Sequence, residues 1–180
     1  LGTCGDGGMI TTNDLKLSET CRRLRRYGMD NTYFANIEGY NSRLQEFQAS
    51  ILSVKLPHLP SYNKRRQEIA TRYINEIKNP LIKLPKIRAG VSHIFHLFVI
   101  EVEARESFIE HLKKNCIGYG IHYPFPIHLQ KAYSFLGKKR GSFPLSEAVA
   151  DRIISLPIFP ELTEAEVSYV IRTVNAFKPY

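Results

Sequence analysis

Gly39-Tyr40-Asn41-Ser42-Arg43-Leu44-Gln45-Glu46-Phe47-Gln48-Ala49 is a loop of polar, ligand-type side chains running into an amphipathic segment. Ser42 and Gln45 have the spacing of a capping box, in which two side chains reciprocally satisfy first-turn backbone donors, so the spacing predicts a helix beginning at Ser42. Leu44, Phe47 and Ile51 then recur at helical spacing and give it an apolar face. A helix start offers free N–H groups and the positive end of the helix dipole, which would favour an anion such as phosphate beside Asn41, Ser42 and Arg43. An ordinary capped helix carries the same signature and is the commoner case.

Downstream, this helix should reach about Leu56, where Pro57 and Pro60 interrupt it. A second helical pattern from Ser61 carries Ile69, Tyr73 and Ile77 on one face and ends at Asn79-Pro80. The pair reads as a long bent connector, dividing the chain into residues 1–56, a connecting helix over 57–79 and a C-terminal domain over 80–180. Upstream, Gly5 to Gly8 reads as a tight turn into a short strand, Met9 to Thr12. Asn13 or Asp14 caps a helix to about Arg26, with Leu15, Leu17, Cys21 and Leu24 as an imperfect apolar face and Gly28 as its stop. Residues 29 to 41 form a loop containing Tyr33, Phe34 and Tyr40, of a length that is often functional.

Beyond residue 80 the pattern changes. His93 to Val102 is β-rich, followed by a helix from about Arg105 to Asn115, an exit at Gly118 and a strand from Ile117 to Tyr123. Helices are expected near Leu129 to Leu136, from Pro144 to Ile154, and after a second capping box, Thr163 with Glu166, with Val167, Val170, Ile171 and Val174 buried. This order suggests a small α+β domain whose short antiparallel sheet is covered by helices on one side.

With 180 residues, 43% of them hydrophobic, the chain can bury a core as one or two small domains. Its net charge of +8 suits an acidic partner, whether nucleic acid or phosphorylated sugar, or a solvated basic surface. The densest basic clusters, Arg22-Arg23 with Arg25-Arg26 and Lys138-Lys139-Arg140, are not interleaved with aromatics on a nucleic-acid module, so nucleic acid ranks low. Cys4, Cys21 and Cys116 are odd in number and widely spaced, which reads as reduced thiols in a cytoplasmic protein. No apolar run is long enough to span a bilayer, and the start lacks the pattern of a signal peptide. His93 and His96 lack an acidic third ligand, so no metal is expected there, and serine-hydrolase and phosphate-loop motifs are absent.

Gly39-Tyr40-Asn41-Ser42-Arg43-Leu44, with Gln48-Ala49 and Val54-Lys55-Leu56, resembles the signature of the DegT/DnrJ/EryC1/StrS sugar aminotransferases, which use pyridoxal phosphate. Further pieces match in order: Gly5-Asp6-Gly7-Gly8, Arg25-Arg26-Tyr27-Gly28, His96-Leu97-Phe98-Val99, Gly120-Ile121-His122-Tyr123-Pro124 with Pro126 and His128, and Leu156-Pro157-Ile158. An ordered series spanning the chain is far more specific than any one motif.

The resemblance implies the C-terminal portion of an α/β fold-type I pyridoxal phosphate enzyme: the end of the large domain, the connecting helix and the small α+β domain. The Schiff-base lysine of the family would fall about two residues before Leu1-Gly2, and Lys16 is not a substitute for it. A start on leucine also hints that sequence lies upstream. By the same resemblance Asn41 holds the cofactor phosphate of a neighbouring subunit, so a homodimer is expected, and Tyr40, Arg43, His122 and Tyr123 face the substrate. For Arg43 a salt bridge with Glu46 is the alternative, and for His122 and Tyr123 a half-buried strand end. The implied activity transfers an amino group from an amino acid, glutamate foremost, to a nucleotide-linked keto-sugar, and the 180 residues alone should neither hold the cofactor nor turn over. A non-catalytic binding or regulatory protein built on this half of the fold is the rival, and a basic nucleic-acid module the third reading.

Overall fold

The first helix begins where a short polar side chain replaces a missing backbone partner: the Asp14 carboxylate accepts from the Leu17 N–H at 3.1 Å, opening α1 (Leu15–Leu24). The computed structural model describes residues 2 and 4–179; Leu1, beside which the resemblance places the cofactor lysine, lies outside them. The chain divides into two units, Leu1–Leu59 and Pro60–Tyr180.

In the first unit α1 is followed by an irregular hairpin over residues 25–42 and then by α2 (Glu46–Lys55). The apolar residues of α1 are not buried: Leu15 is 81% exposed and Cys21 and Leu24 are half-buried. Met9 to Thr12 forms no strand, because nothing among the described residues lies alongside to pair with it, and no positive φ occurs at Gly5 or Gly8. Pro57 interrupts the α-helix about where the sequence suggests, α2 ending at Lys55. It sits in a single 3-10 turn, Leu56–His58, with Lys55, Leu56 and Leu59 all in the right-handed helical region. Pro60 falls in the first turn of α3 (Leu59–Glu76), where its missing N–H would have had no partner anyway.

The second unit is built on α3, whose Ile69, Ala70 and Tyr73 are wholly buried. The segment expected to be a connector is therefore part of this unit's core. Two residues of β1 (Ile82–Lys83) pair antiparallel with β2 (Phe98–Val102), which pairs antiparallel with β3 (Ile153–Leu156), in the order β1-β2-β3. Phe98, Ile100 and Val102 alternate into the core with Ile154 and Leu156. Between the outer strands lie α4 (Arg105–Lys114), 3-10 turns at Ile127–Leu129 and Lys131–Leu136 in place of the expected helix, and α5 (Pro144–Arg152). The strand expected to begin at His93 starts at Phe98, since the His93 ring accepts the Phe95 N–H at 2.9 Å and turns the backbone. Residues 117–123 form no strand, and their backbone pairs with the sheet at a single Gly120–Ser155 bridge. The exit from α4 uses Cys116, at φ 53, and not Gly118.

The last helix, α6 (Glu164–Ala176), starts with the predicted box: Thr163 Oγ1 accepts from the Glu166 N–H while Glu166 accepts from the Thr163 N–H. Two turns apart on α3, Arg65 and Arg72 hold Glu164 at 2.6 and 2.7 Å, and buried Tyr73 donates to the Pro157 carbonyl at 2.9 Å. Among the described residues no helix is long and apolar enough to cross a membrane.

Candidate functional site

In the first unit the polar loop is shaped by backbone bonds to the end of α1. The Tyr40 N–H donates to the Leu24 carbonyl at 2.7 Å, the Tyr27 N–H to the Tyr40 carbonyl at 2.9 Å, and the Ser42 N–H to the Arg25 carbonyl at 3.1 Å. Arg25 Nε returns to the Ser42 carbonyl at 3.2 Å, so Asn41 is pinned in extended backbone opposite Arg26. These bonds overturn the expected helix start. With both backbone groups of Ser42 engaged by Arg25, its capping box with Gln45 does not form, and α2 opens at Glu46 behind a Gln45 that makes no side-chain cap. The helix dipole, which acts only over the first turn, is thereby removed from Asn41.

Gly28 is not a simple helix stop either. It sits at φ +75 next to Tyr27 at φ 60, and a Cβ there would run into the Ile37 carbonyl. The turn presses residues 27–29 against 35–40, and Asp30 closes it by accepting from the Thr32 N–H at 2.8 Å and from the Asn36 amide at 3.1 Å. Its hydrogen bonds from Thr32 hold the Asp30 carboxyl down to about 2.

The result is an open cleft of about 400 Å³ lined by Arg25, Arg26, Tyr27, Met29, Tyr33 and Arg43. Arg43 lies 5.1 Å over the Tyr27 ring, a cation–π contact in place of the salt bridge with Glu46 that was its alternative role. No ion pair among the described residues involves Arg25, Arg26 or Arg43. Asn41 and Tyr40 are exposed, and the Asn41 amide has no hydrogen bond among the described residues. An available amide opposite an unpaired guanidinium suits a phosphate, so the residues present fit that end of pyridoxal phosphate.

In the second unit His122 is half-buried, its Nδ1 2.9 Å from Ser155 Oγ, and Tyr123 stands edge-on to it, 72% exposed. His128 is buried and faces Glu147, Nε2 to Oε1 at 2.9 Å. The Gly141 N–H reaches both oxygens of Glu147 at 2.9 and 2.8 Å and the Phe143 N–H one of them at 3.2 Å. The Gly141 bond first, with His128 and Phe143 behind it, lowers the Glu147 carboxyl below the usual range. His93 and His96 are not brought together with other ligands, and no group of three or more metal-ligating side chains occurs among the described residues.

Residues 1–175 match the model of the DegT/DnrJ/EryC1/StrS aminotransferase family. The chain belongs to that family. It is 47% identical over 171 residues to the dTDP-3-amino-3,6-dideoxy-alpha-D-galactopyranose transaminase of Aneurinibacillus thermoaerophilus, covering 95% of this chain and 47% of that protein. It is 42% identical over 180 residues to the pleiotropic regulatory protein of Geobacillus stearothermophilus, covering 98% of this chain and 48% of that one. The crystal structure of S. venezuelae DesV in complex with a ketimine intermediate matches at a TM-score of 0.93 and 39% identity, covering 97% of this chain and 47% of that one. The chain thus spans about half the length of the relatives it matches.

The ordered motifs of the sequence therefore identify a member of a pyridoxal phosphate-dependent aminotransferase family, with the helices and three-stranded antiparallel sheet expected of this portion. Sequence reasoning missed three features of this family member. The Arg25-Arg26 pair was visible as charge but not as a cleft wall, because only the hairpin bonds bring it beside Tyr33 and Arg43. Ser155 and Glu147 gave no signal, since a lone serine or glutamate acquires a role only from the residue folded against it.

Proposed function

We propose that this chain is the C-terminal part of a pyridoxal phosphate-dependent enzyme that transfers an amino group from an amino acid, glutamate in particular, to a nucleotide-linked keto-sugar. The observation that carries the reading is the family match over residues 1–175, alongside 47% identity to a dTDP-sugar transaminase. When bound, the cofactor supplies an electron sink for the carbon that loses its proton. In this reading the Asn41 amide donates to the cofactor phosphate of a neighbouring subunit, making the whole protein a homodimer. The available amide supports that assignment, and the three guanidiniums of the cleft, none of them in an ion pair among the described residues, suit an anionic substrate. Within the first unit Tyr40 and Arg43 are the side chains read as substrate contacts, and within the second, taken by itself, His122 and Tyr123 are read as hydrogen-bonding groups for substrate.

In the full-length protein Asn41→Ala should weaken cofactor affinity roughly tenfold to a hundredfold, as expected for one hydrogen bond to a charged group. Unchanged cofactor affinity in an equilibrium titration would remove Asn41 from the phosphate. The 180 residues by themselves should not transaminate. Incubation with pyridoxal phosphate and reduction with borohydride should give no specific adduct, and a stoichiometric lysine adduct competent for turnover would overturn that.

A second reading, a non-catalytic binding or regulatory protein on this half of the fold, is favoured by the 42% identity to a protein named for pleiotropic regulation. Its mark would be a partner bound by the 180-residue chain through residues 29–45, and failure of substitutions there to disturb such binding would dismiss it.

A further inference from the structure

We propose that Ser155 is a positioning residue that locks His122 in one tautomer, with hydrogen on Nε2, so that the ring offers a donor to an acceptor oxygen of the sugar. That the donor faces a sugar rests on the function proposed above; the lock does not.

The backbone of Ser155 is fixed on both sides. It sits on β3 opposite Val99 of β2, while its N–H donates to the Gly120 carbonyl at 2.7 Å and its carbonyl accepts from the Gly120 N–H at 3.2 Å. Its residue is 4% exposed, and its Oγ lies 2.9 Å from His122 Nδ1. Gly120 completes the socket. A Cβ at that position would run into the His122 ring, with Nδ1 at 3.1 Å and Nε2 at 3.2 Å among its neighbours, so the absent side chain is where the imidazole lies. The Tyr123 ring closes one side, edge-on at 5.7 Å.

The hydrogen-bond arithmetic selects the tautomer. If Nδ1 carried the hydrogen, Ser155 Oγ would accept it, and the buried serine O–H would need a second partner. None occurs among the described residues, and a buried donor left without one is costly. If the serine O–H donates to Nδ1, that donor is satisfied and the ring hydrogen sits on Nε2. His122 then presents an N–H and not a lone pair, which suits a ketone, ether or hydroxyl oxygen acting as acceptor and gives no general base at this position.

The test uses the ¹⁵N-labelled 180-residue chain and long-range ¹H–¹⁵N correlation of the histidine rings at about pH 8, above the ordinary imidazole range. The expected spectrum shows His122 as the Nε2–H tautomer. Ser155→Ala should shift it towards a mixture, and Ser155→Thr, which keeps the hydroxyl, should restore it. An Nδ1–H ring in the unsubstituted chain, or a spectrum unmoved by Ser155→Ala while the core amide resonances keep their positions, overturns the lock. Should Ser155→Ala fail to fold, the tautomer of the unsubstituted chain and of Ser155→Thr still decides.

In the full-length enzyme, Ser155→Ala should raise KM for the nucleotide sugar roughly fivefold to tenfold, the weight of one neutral hydrogen bond, with kcat and cofactor affinity little changed. In a His122→Ala background it should add nothing further. A confirmed tautomer with unchanged KM would keep the lock and overturn the placement of His122 against the sugar.

Discussion

The two units solve the same problem with opposite means. In the second, apolar faces of α3, β2, α4, β3 and α6 meet, and Tyr73, Phe98, Phe108, Leu112, Ile154 and Val167 are all sealed from water. In the first, Gly28 is the only buried residue among those described, while Leu15, Tyr33, Phe34, Phe47 and Val54 stand open. Both stretches carry amphipathic helices, so hydrophobic content is not the difference. The difference is whether a second apolar face lies opposite the first, because burial and not sequence hydrophobicity stabilises. The first unit is instead held by backbone hydrogen bonds between residues 24–29 and 35–42.

The sharpest way to break this comparison is to truncate one aromatic in each unit. Phe98→Ala should cost about 3–5 kcal/mol in urea unfolding, whereas Phe47→Ala, at a position 73% exposed, should stay within about 0.5 kcal/mol. Similar losses at both sites would mean that the first unit holds a core after all. The two capping boxes give a smaller contrast. Thr163→Ala should cost about 1 kcal/mol and Ser42→Ala close to nothing, as measured by the same denaturation.

That pair also shows how far the sequence could be read. Thr163 and Ser42 head the same motif, but only Thr163 is free of other demands, and its helix begins where local rules place it. Ser42 is claimed by Arg25, seventeen residues earlier, and no window around Ser42 reveals that claim. Asp14 was legible for the same local reason as Thr163, whereas α4, which opens behind Ala104 without a side-chain cap, was legible from its helical run alone. The Met9 to Thr12 strand was not, since a strand needs a partner that its own residues do not specify. For the proposed site, motif order pointed to Asn41, Arg43 and His122 as candidates, while Ser155 emerged only from the sheet register that sets it beside Gly120.

The finest contrast lies in two carboxylates. Both are lowered on folding, so each contributes stability above its ordinary value, 3.8 for Asp30 and 4.5 for Glu147, and the contribution fades as pH falls through the folded value. For Asp30 that window runs from 3.8 to about 2. Acidification followed by amide exchange should release Gly141 and Phe143, which lean on Glu147, as pH falls below 4.5, and Thr32, which leans on Asp30, as it falls from 3.8 towards about 2, with the global transition little altered. Glu147→Gln should reproduce the first release at neutral pH. Thr32 exchange that does not respond between pH 3.8 and about 2 would remove Asp30 as its support.

The single bridge between Gly120 and Ser155 also bears on how this protein behaves in concentrated solution. β3 ends the sheet, it is apolar at Ile153, Ile154 and Leu156, and the bridge to Gly120 is what shields its open side. Displacement of residues 117–123 would leave a hydrophobic strand with unpaired backbone groups, a template on which another chain can add. The segment that seats His122 is in this sense also the molecule's guard against edge-to-edge aggregation.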